Sequence, residues 1–135
     1  YVYPSVDAAG DLYVAFASFP LNANRAPITV YVGKSTDDGR SFSRFVAATP
    51  AIGSIPGCCL TNTTFRDGIT ESFAASPTHP GHLYLTYENW DGSQLDVLFT
   101  QSLDGGATWS RPAVVNDNVD RGGTVTDQFQ PSVAA

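Results

Sequence analysis

The feature that most restricts what this chain can fold into is an internal repeat. Ser35-Thr36-Asp37-Asp38-Gly39-Arg40-Ser41-Phe42 recurs as Ser102-Leu103-Asp104-Gly105-Gly106-Ala107-Thr108-Trp109, at an offset of 67 residues in every matched position. A fixed period of this kind marks stacked supersecondary units, each needing its neighbour to bury an apolar face. The similarity runs beyond the eight-residue segment. Leu12-Tyr13-Val14-Ala15-Phe16 is matched by Leu83-Tyr84-Leu85-Thr86-Tyr87, at an offset of 71, and the extra four residues fit an insertion in the Pro77-Thr78-His79-Pro80-Gly81 turn. Tyr3-Pro4-Ser5-Val6-Asp7-Ala8 is echoed by Glu71-Ser72-Phe73-Ala74-Ala75 and again by Gln130-Pro131-Ser132-Val133-Ala134-Ala135. Repeat 1 therefore covers about 3–70, repeat 2 about 71–130, and a third repeat begins at 130–135.

Within each repeat, β-branched and aromatic residues cluster in short runs between turn signals, with no helical period. The expected fold class is all-β, with two units of four antiparallel strands. Strand A is expected near 3–8 and 71–76, B near 11–18 and 82–88, C near 28–34 and 95–101, and D near 42–48 and 109–115. Strand B is almost continuously apolar, which predicts burial on both faces, whereas Ile28, Val30 and Val32 alternate along strand C. Radially stacked four-stranded sheets supply that environment.

The repeated segment reads as a self-satisfied hairpin turn between C and D. Its short carboxylate is expected to accept N–H groups two or three residues on, and Gly39 or Gly106 to take a positive φ. The aromatic that follows, Phe42 or Trp109, is expected to return to the sheet and bury a large apolar face.

The pattern Ser-x-Asp-x-Gly-x-Ser/Thr-aromatic resembles the Asp-box, or bacterial neuraminidase repeat, of sialidase-like propellers. The resemblance implies a β-propeller segment of two four-stranded antiparallel blades with Asp-box hairpins, within a six-bladed parent or assembly. It further implies that the boxes lie away from any active site, so that Ser35, Asp37, Gly39, Phe42, Ser102, Asp104, Gly106 and Trp109 are structural. Loops 19–27, 49–70, 89–94 and 116–129 would share the opposite, ligand-facing side.

Sialidases hold a substrate carboxylate with arginines and use a Tyr/Glu nucleophile pair and an acid/base Asp. Their Tyr-Arg-Ile-Pro hallmark aligns with Tyr1-Val2-Tyr3-Pro4, which puts Val2 at the arginine position, and the equivalent positions in the later repeats are Ile69 and Phe129. None supplies a guanidinium.

The loops still offer ligand-binding candidates. Arg25, Arg66, Asp67 and Arg121 would suit an anionic or hydroxylated ligand, or are solvated loop charges and short ion pairs, Asp120-Arg121 among them. Trp90 beside Asp91 would suit sugar stacking with hydroxyl bonding, or the indole caps its own sheet. Glu71 and Glu88 are the only glutamates, and Tyr87 precedes one of them. Cys58 and Cys59, the only cysteines, either form a vicinal disulfide, whose Cα atoms sit closer than the usual disulfide span, or remain two buried thiols. His79 and His82 have no partner at metal-ligand spacing and read as exposed turn residues. Asn62 opens a glycosylation sequon. Asp117, Asp120 and Asp127 would suit Ca²⁺ by their oxygen chemistry, but without EF-hand spacing; no cofactor and no metal is expected.

Seven basic against thirteen acidic residues give a net charge of −6, which opposes binding to a nucleic-acid backbone. No apolar run is long enough to span a bilayer. The expected role is a secreted recognition or scaffold module for a glycan or another extracellular ligand, its ring closed by further blades or identical chains. The alternative is part of a sialidase-like exo-glycosidase whose catalytic residues are shared with other blades.

Overall fold

The computed structural model describes residues 1–19, 28–60, 63–68, 70–117 and 126–135. Arg25, Asn62, Ile69, Asp120 and Arg121, singled out above, lie outside these residues. Among the described residues the chain is all-β, with no helix. Strands β1 (Val2–Val6), β2 (Leu12–Ser18), β3 (Thr29–Ser35) and β4 (Val46–Ala47) form one four-stranded sheet. Strands β5 (Glu71–Ala75), β6 (Leu83–Trp90), β7 (Leu95–Ser102) and β8 (Ala113–Val114) form the second. Every pairing joins consecutive strands antiparallel, so each sheet is a simple meander, and the two remain open rather than closing on each other.

The fourth strands are far shorter than the 42–48 and 109–115 expected. At Ser43 the backbone N–H still donates to Lys34 O (2.8 Å), but the Lys34 N–H is taken by Ser43 Oγ (3.1 Å). Ser110 repeats both bonds with Gln101, at 2.8 and 3.1 Å. Farther along, Thr49 Oγ1 accepts from Val30 N (3.1 Å), and Asn116 Oδ1 accepts from Val97 N (2.8 Å). Side-chain oxygens thus replace backbone carbonyls at both ends of β4 and of β8. They satisfy the neighbouring strand without requiring extended backbone on the edge.

Cross-strand partners share a face, and the registers therefore sort the core. Tyr3 pairs with Ala15 and Ala15 with Val32, while Phe73 pairs with Leu85 and Ala75 with Leu83. Tyr13, Ala15, Val30 and Val32 of the first sheet join Phe73, Ala75, Leu83, Leu85 and Tyr87 of the second in one buried cluster. Leu83 and Leu85 are wholly buried, a contribution of about 1.5–3 kcal/mol for each side chain.

By the repeat offsets, Tyr13 and Val32 correspond to Tyr84 and Phe99, which lie stacked on the outer face of the second sheet. The faces that meet are therefore unlike, and the stacking is head to tail. The expectation that strand B is buried on both faces holds poorly for β2, whose Leu12, Val14 and Phe16 are only half-buried. Their counterparts Leu83, Leu85 and Tyr87 are buried because the first sheet covers them. Phe42 departs from expectation for the same reason: it is 38% exposed and stacks on Phe45, whereas Trp109 packs against the core.

The sheets approach most closely through their first strands. Among the strands of the described residues, only β1 and β2 come within 8 Å (Cα–Cα) of a strand of the other sheet, both against β5. Ala75 N donates to Ser5 Oγ (2.9 Å), and Gly81 N donates to Asp7 Oδ2 (2.7 Å). Burial alone would raise the Asp7 carboxyl, but the N–H groups of Gly81, Ala9 and Asp11 and the Tyr13 hydroxyl hold it below the usual range. Val133 N donates to Ser72 Oγ (3.1 Å), bringing the C-terminal segment onto β5.

Candidate functional site

The repeated turns occupy one end of the two sheets. Ser35 Oγ donates to Asp37 Oδ1 (2.8 Å) and accepts from Gly39 N (2.9 Å), and the Asp37 carboxylate accepts from Ser41 N (2.9 Å) and Ser41 Oγ (2.6 Å). Ser102, Asp104, Gly106 and Thr108 repeat the same bonds at the same distances. The aspartate's closest backbone donor lies four residues ahead, beyond the two or three expected, with the amide three residues ahead also lowering its carboxyl; Asp38 and Gly39, like Gly105 and Gly106, both have positive φ and fold the chain back. Hydrogen bonds from Ser41 and Thr108 hold Asp37 and Asp104 at about 2. Both oxygens of each carboxylate accept from donors of their own turn.

The opposite end is built from the longer connections. After β4 the chain crosses onto the second sheet. Ile52 and Ile28 exchange backbone hydrogen bonds, Gly53 N donates to Asn89 Oδ1 (3.1 Å), and Trp90 N donates to Gly53 O (3.0 Å). A Cβ on Gly53 would lie 2.1 Å from the Trp90 carbonyl oxygen, so only glycine permits this crossing. The chain then turns through Gly57 at φ 97° and returns as a small hairpin, with Cys59 bridged to Arg66 and Asp67 N donating to Cys58 O (3.3 Å).

Cys58 and Cys59 are joined by a disulfide, with Cα atoms 3.7 Å apart. Together with Ile55, Pro56, Leu60, Thr63 and Trp90 it lines a cleft of about 470 Å³. Trp90 is half-buried and packs against the core, so the indole both caps its sheet and walls the cleft. Asp91 does not join it as a free carboxylate: its Oδ1 accepts from Ser93 N, Ser93 Oγ and Gln94 N, bonds that lower its pKa and close the β6–β7 turn. Arg66 is exposed and makes no ion pair among the described residues. Asp67 is half-buried, and burial raises its carboxyl.

Two further acids sit at this end without being legible as a pair. Glu88, wholly buried, accepts from Thr70 Oγ1 (2.5 Å) and Gln130 N (2.5 Å) on one oxygen and Thr70 N (3.1 Å) on the other. Burial still pushes its carboxyl up. Glu71 lies opposite Tyr87 in the β5–β6 register, and the two are 2% and 1% exposed. Neither Glu71 carboxylate oxygen nor the Tyr87 hydroxyl has a hydrogen-bond partner among the described residues. Burial raises Glu71 and lifts Tyr87 to about 12. The sequence singles out Glu71 only as one of two glutamates. Its alignment with Tyr87 depends on register, which the sequence order Tyr87-Glu88 concealed.

Among the described residues no three His, Cys, Asp or Glu side chains gather as a metal site. Asp127 accepts from Leu95 N (2.9 Å), Asp117 is exposed, and His79 and His82 stack on each other at 5.1 Å in the β5–β6 turn. No family model matches the chain, and no curated protein matches it.

Proposed function

We propose that the two sheets are successive blades of a sialidase-like Asp-box β-propeller, and that the chain acts by recognition, binding a glycan or another extracellular ligand at its loop-rich end. The fold reading is supported by head-to-tail stacking, by the closest approach lying between first strands, and by the identical bonding of the two turns. Further blades or identical chains would cover the open face of the first sheet. The disulfide suits an oxidising, extracellular compartment.

The observation that carries the functional reading is the cleft that joins Trp90 to the Cys58–Cys59 disulfide at the end bearing the long connections. Pockets of this size with apolar walls are the ordinary form of a small-molecule subsite. Recognition is favoured over hydrolysis because Val2 and Phe129 stand where the hallmark arginine would be.

The enzymatic reading draws on one observation, the opposition of Glu71 and Tyr87, which matches the residue types of the sialidase nucleophile pair. Their burial between two packed sheets argues against substrate access. A glycan array probed with the chain, alongside hydrolysis of aryl glycosides that include an aryl sialoside, separates the two. Array binding without turnover is expected; sialoside turnover that disappears in Glu71→Gln would establish the hydrolase instead.

A further inference from the structure

We infer that the Trp90 cleft is a stacking site for an uncharged ring with an apolar face, in which the Cys58–Cys59 disulfide is part of the binding surface; this rests on the loop-rich end being the recognition face. The chemistry of the lining decides the ligand class. The side chains of Ile55, Pro56, Leu60 and Trp90 and the two sulfurs carry no charge. Thr63 is the one hydroxyl in the described lining, and its Oγ1 is occupied, donating to Leu60 O (3.2 Å) and accepting from Phe65 N (3.1 Å). A ligand entering here meets apolar and polarisable surface and little side-chain hydrogen bonding.

Such a surface rewards a flat apolar face. The half-buried indole supplies one plane, and sulfur adjacent to an aromatic ring adds a favourable contact. A carboxylate in the cleft would lose hydration with no cation in the described lining to replace it; Arg66, bridged to Cys59 in the same hairpin, is not among the lining residues. Asp67 belongs to the same hairpin through the bond from its N–H to Cys58 O, and its carboxylate opposes an anion there. The described lining therefore favours an uncharged ring, either aromatic or the apolar face of a neutral pyranose, over an acidic sugar.

The disulfide matters as a surface and as a restraint. Cys58 is exposed and Cys59 half-buried, so the bond is open to a reductant. Reduction replaces the S–S bond by two thiols, as a phosphine is oxidised to its oxide, and frees the turn between Gly57 and Leu60 that forms one wall.

Saturation-transfer NMR with p-cresol, methyl β-D-glucopyranoside and the methyl glycoside of N-acetylneuraminic acid tests the inference. At least one neutral probe is expected to bind and the acidic one not. Trp90→Ala, and separately the Cys58→Ser/Cys59→Ser double variant or phosphine treatment, should weaken that binding by about tenfold. Where Trp90→Ala loses its circular-dichroism signature, the disulfide variant and the reduction carry the test. Binding by neither neutral probe, equal binding of the acidic sugar, or indifference to both the indole and the disulfide overturns the inference. A glycan-array signal that survives reduction would keep recognition by the loop-rich end and remove this cleft from it. Cysteine-dependent p-cresol binding with a blank array would keep the cleft and remove the glycan.

Discussion

Each repeated turn is held by a serine placed between a carboxylate and a left-handed glycine. Ser102 is 1% exposed, donates to Asp104 and accepts from Gly106 N, so Ser102→Ala strands a buried N–H and loosens the carboxylate together. The expected cost is about 1–3 kcal/mol, read as a lower urea midpoint at unchanged m-value. Gly53 acts through contact rather than conformation. Gly53→Ala drives its Cβ into the Trp90 carbonyl at 2.1 Å, and the backbone must shift, at a cost of about 1–3 kcal/mol. Urea melts would register that cost, and the indole emission of Trp90 should change with it; an unaltered midpoint would contradict the described crossing. The two residues differ in how far the sequence announces them. Gly106 is legible because its requirement is local, four residues from Ser102. Gly53 is not, because the atom that forbids a side chain belongs to a residue far along the chain. Asp91 shows the same divide: read as a ligand carboxylate beside an indole, it also closes its own turn, with three local donors on Oδ1.

At the scale of elements, both short edge strands depend on side-chain acceptors that recur with the repeat, Ser43 with Ser110 and Thr49 with Asn116. These polar residues were read as ordinary strand or loop positions, because alternation patterns record burial and not which atom completes a ladder. Thr49→Val keeps the shape but leaves the N–H of fully buried Val30 without an acceptor. A loss of about 1–3 kcal/mol is expected, with weaker protection and faster exchange of the Val30 amide seen by hydrogen exchange. β5 carries the electrostatic counterpart in Glu71. Burial raises its carboxyl above the ordinary 4.5, so the folded state holds a proton that the unfolded chain releases earlier. The stability linked to that proton is fully present below the unfolded value and is lost as pH rises through the folded one. Glu71→Gln should therefore flatten the pH dependence, raising the urea midpoint at neutral pH and conferring no advantage below the ordinary carboxylate range. A variant that tracks the parent at every pH would show that Glu71 finds a cation or becomes hydrated.

Taken whole, the molecule has one covered interface and one uncovered equivalent of it. The repeat itself was legible from two turns and three strand echoes. Which faces are covered was not, since the apolar run of β2 reads the same whether or not a neighbour lies on it. Leu85 and its counterpart Val14 make the difference concrete: the first is wholly buried against the neighbouring sheet, and the second is half-buried beside the Phe16, Tyr31 and Phe45 aromatic group. Head-to-tail stacking makes the exposed surface complementary to the outer face of the second sheet, where Tyr84 and Phe99 lie. If identical chains close a ring through these faces, light scattering should report a closed oligomer. Val14→Arg should then dissociate it while leaving the stability of the two-sheet unit within about 0.5 kcal/mol. Leu85→Arg, which buries the same charge where no partner can leave, should instead unfold the chain. A wild-type chain that remains monomeric would assign the cover to further repeats of a longer protein. An oligomer indifferent to Val14→Arg would mean that the chains meet elsewhere, and the equivalence between the open and the covered face would lose its meaning for assembly.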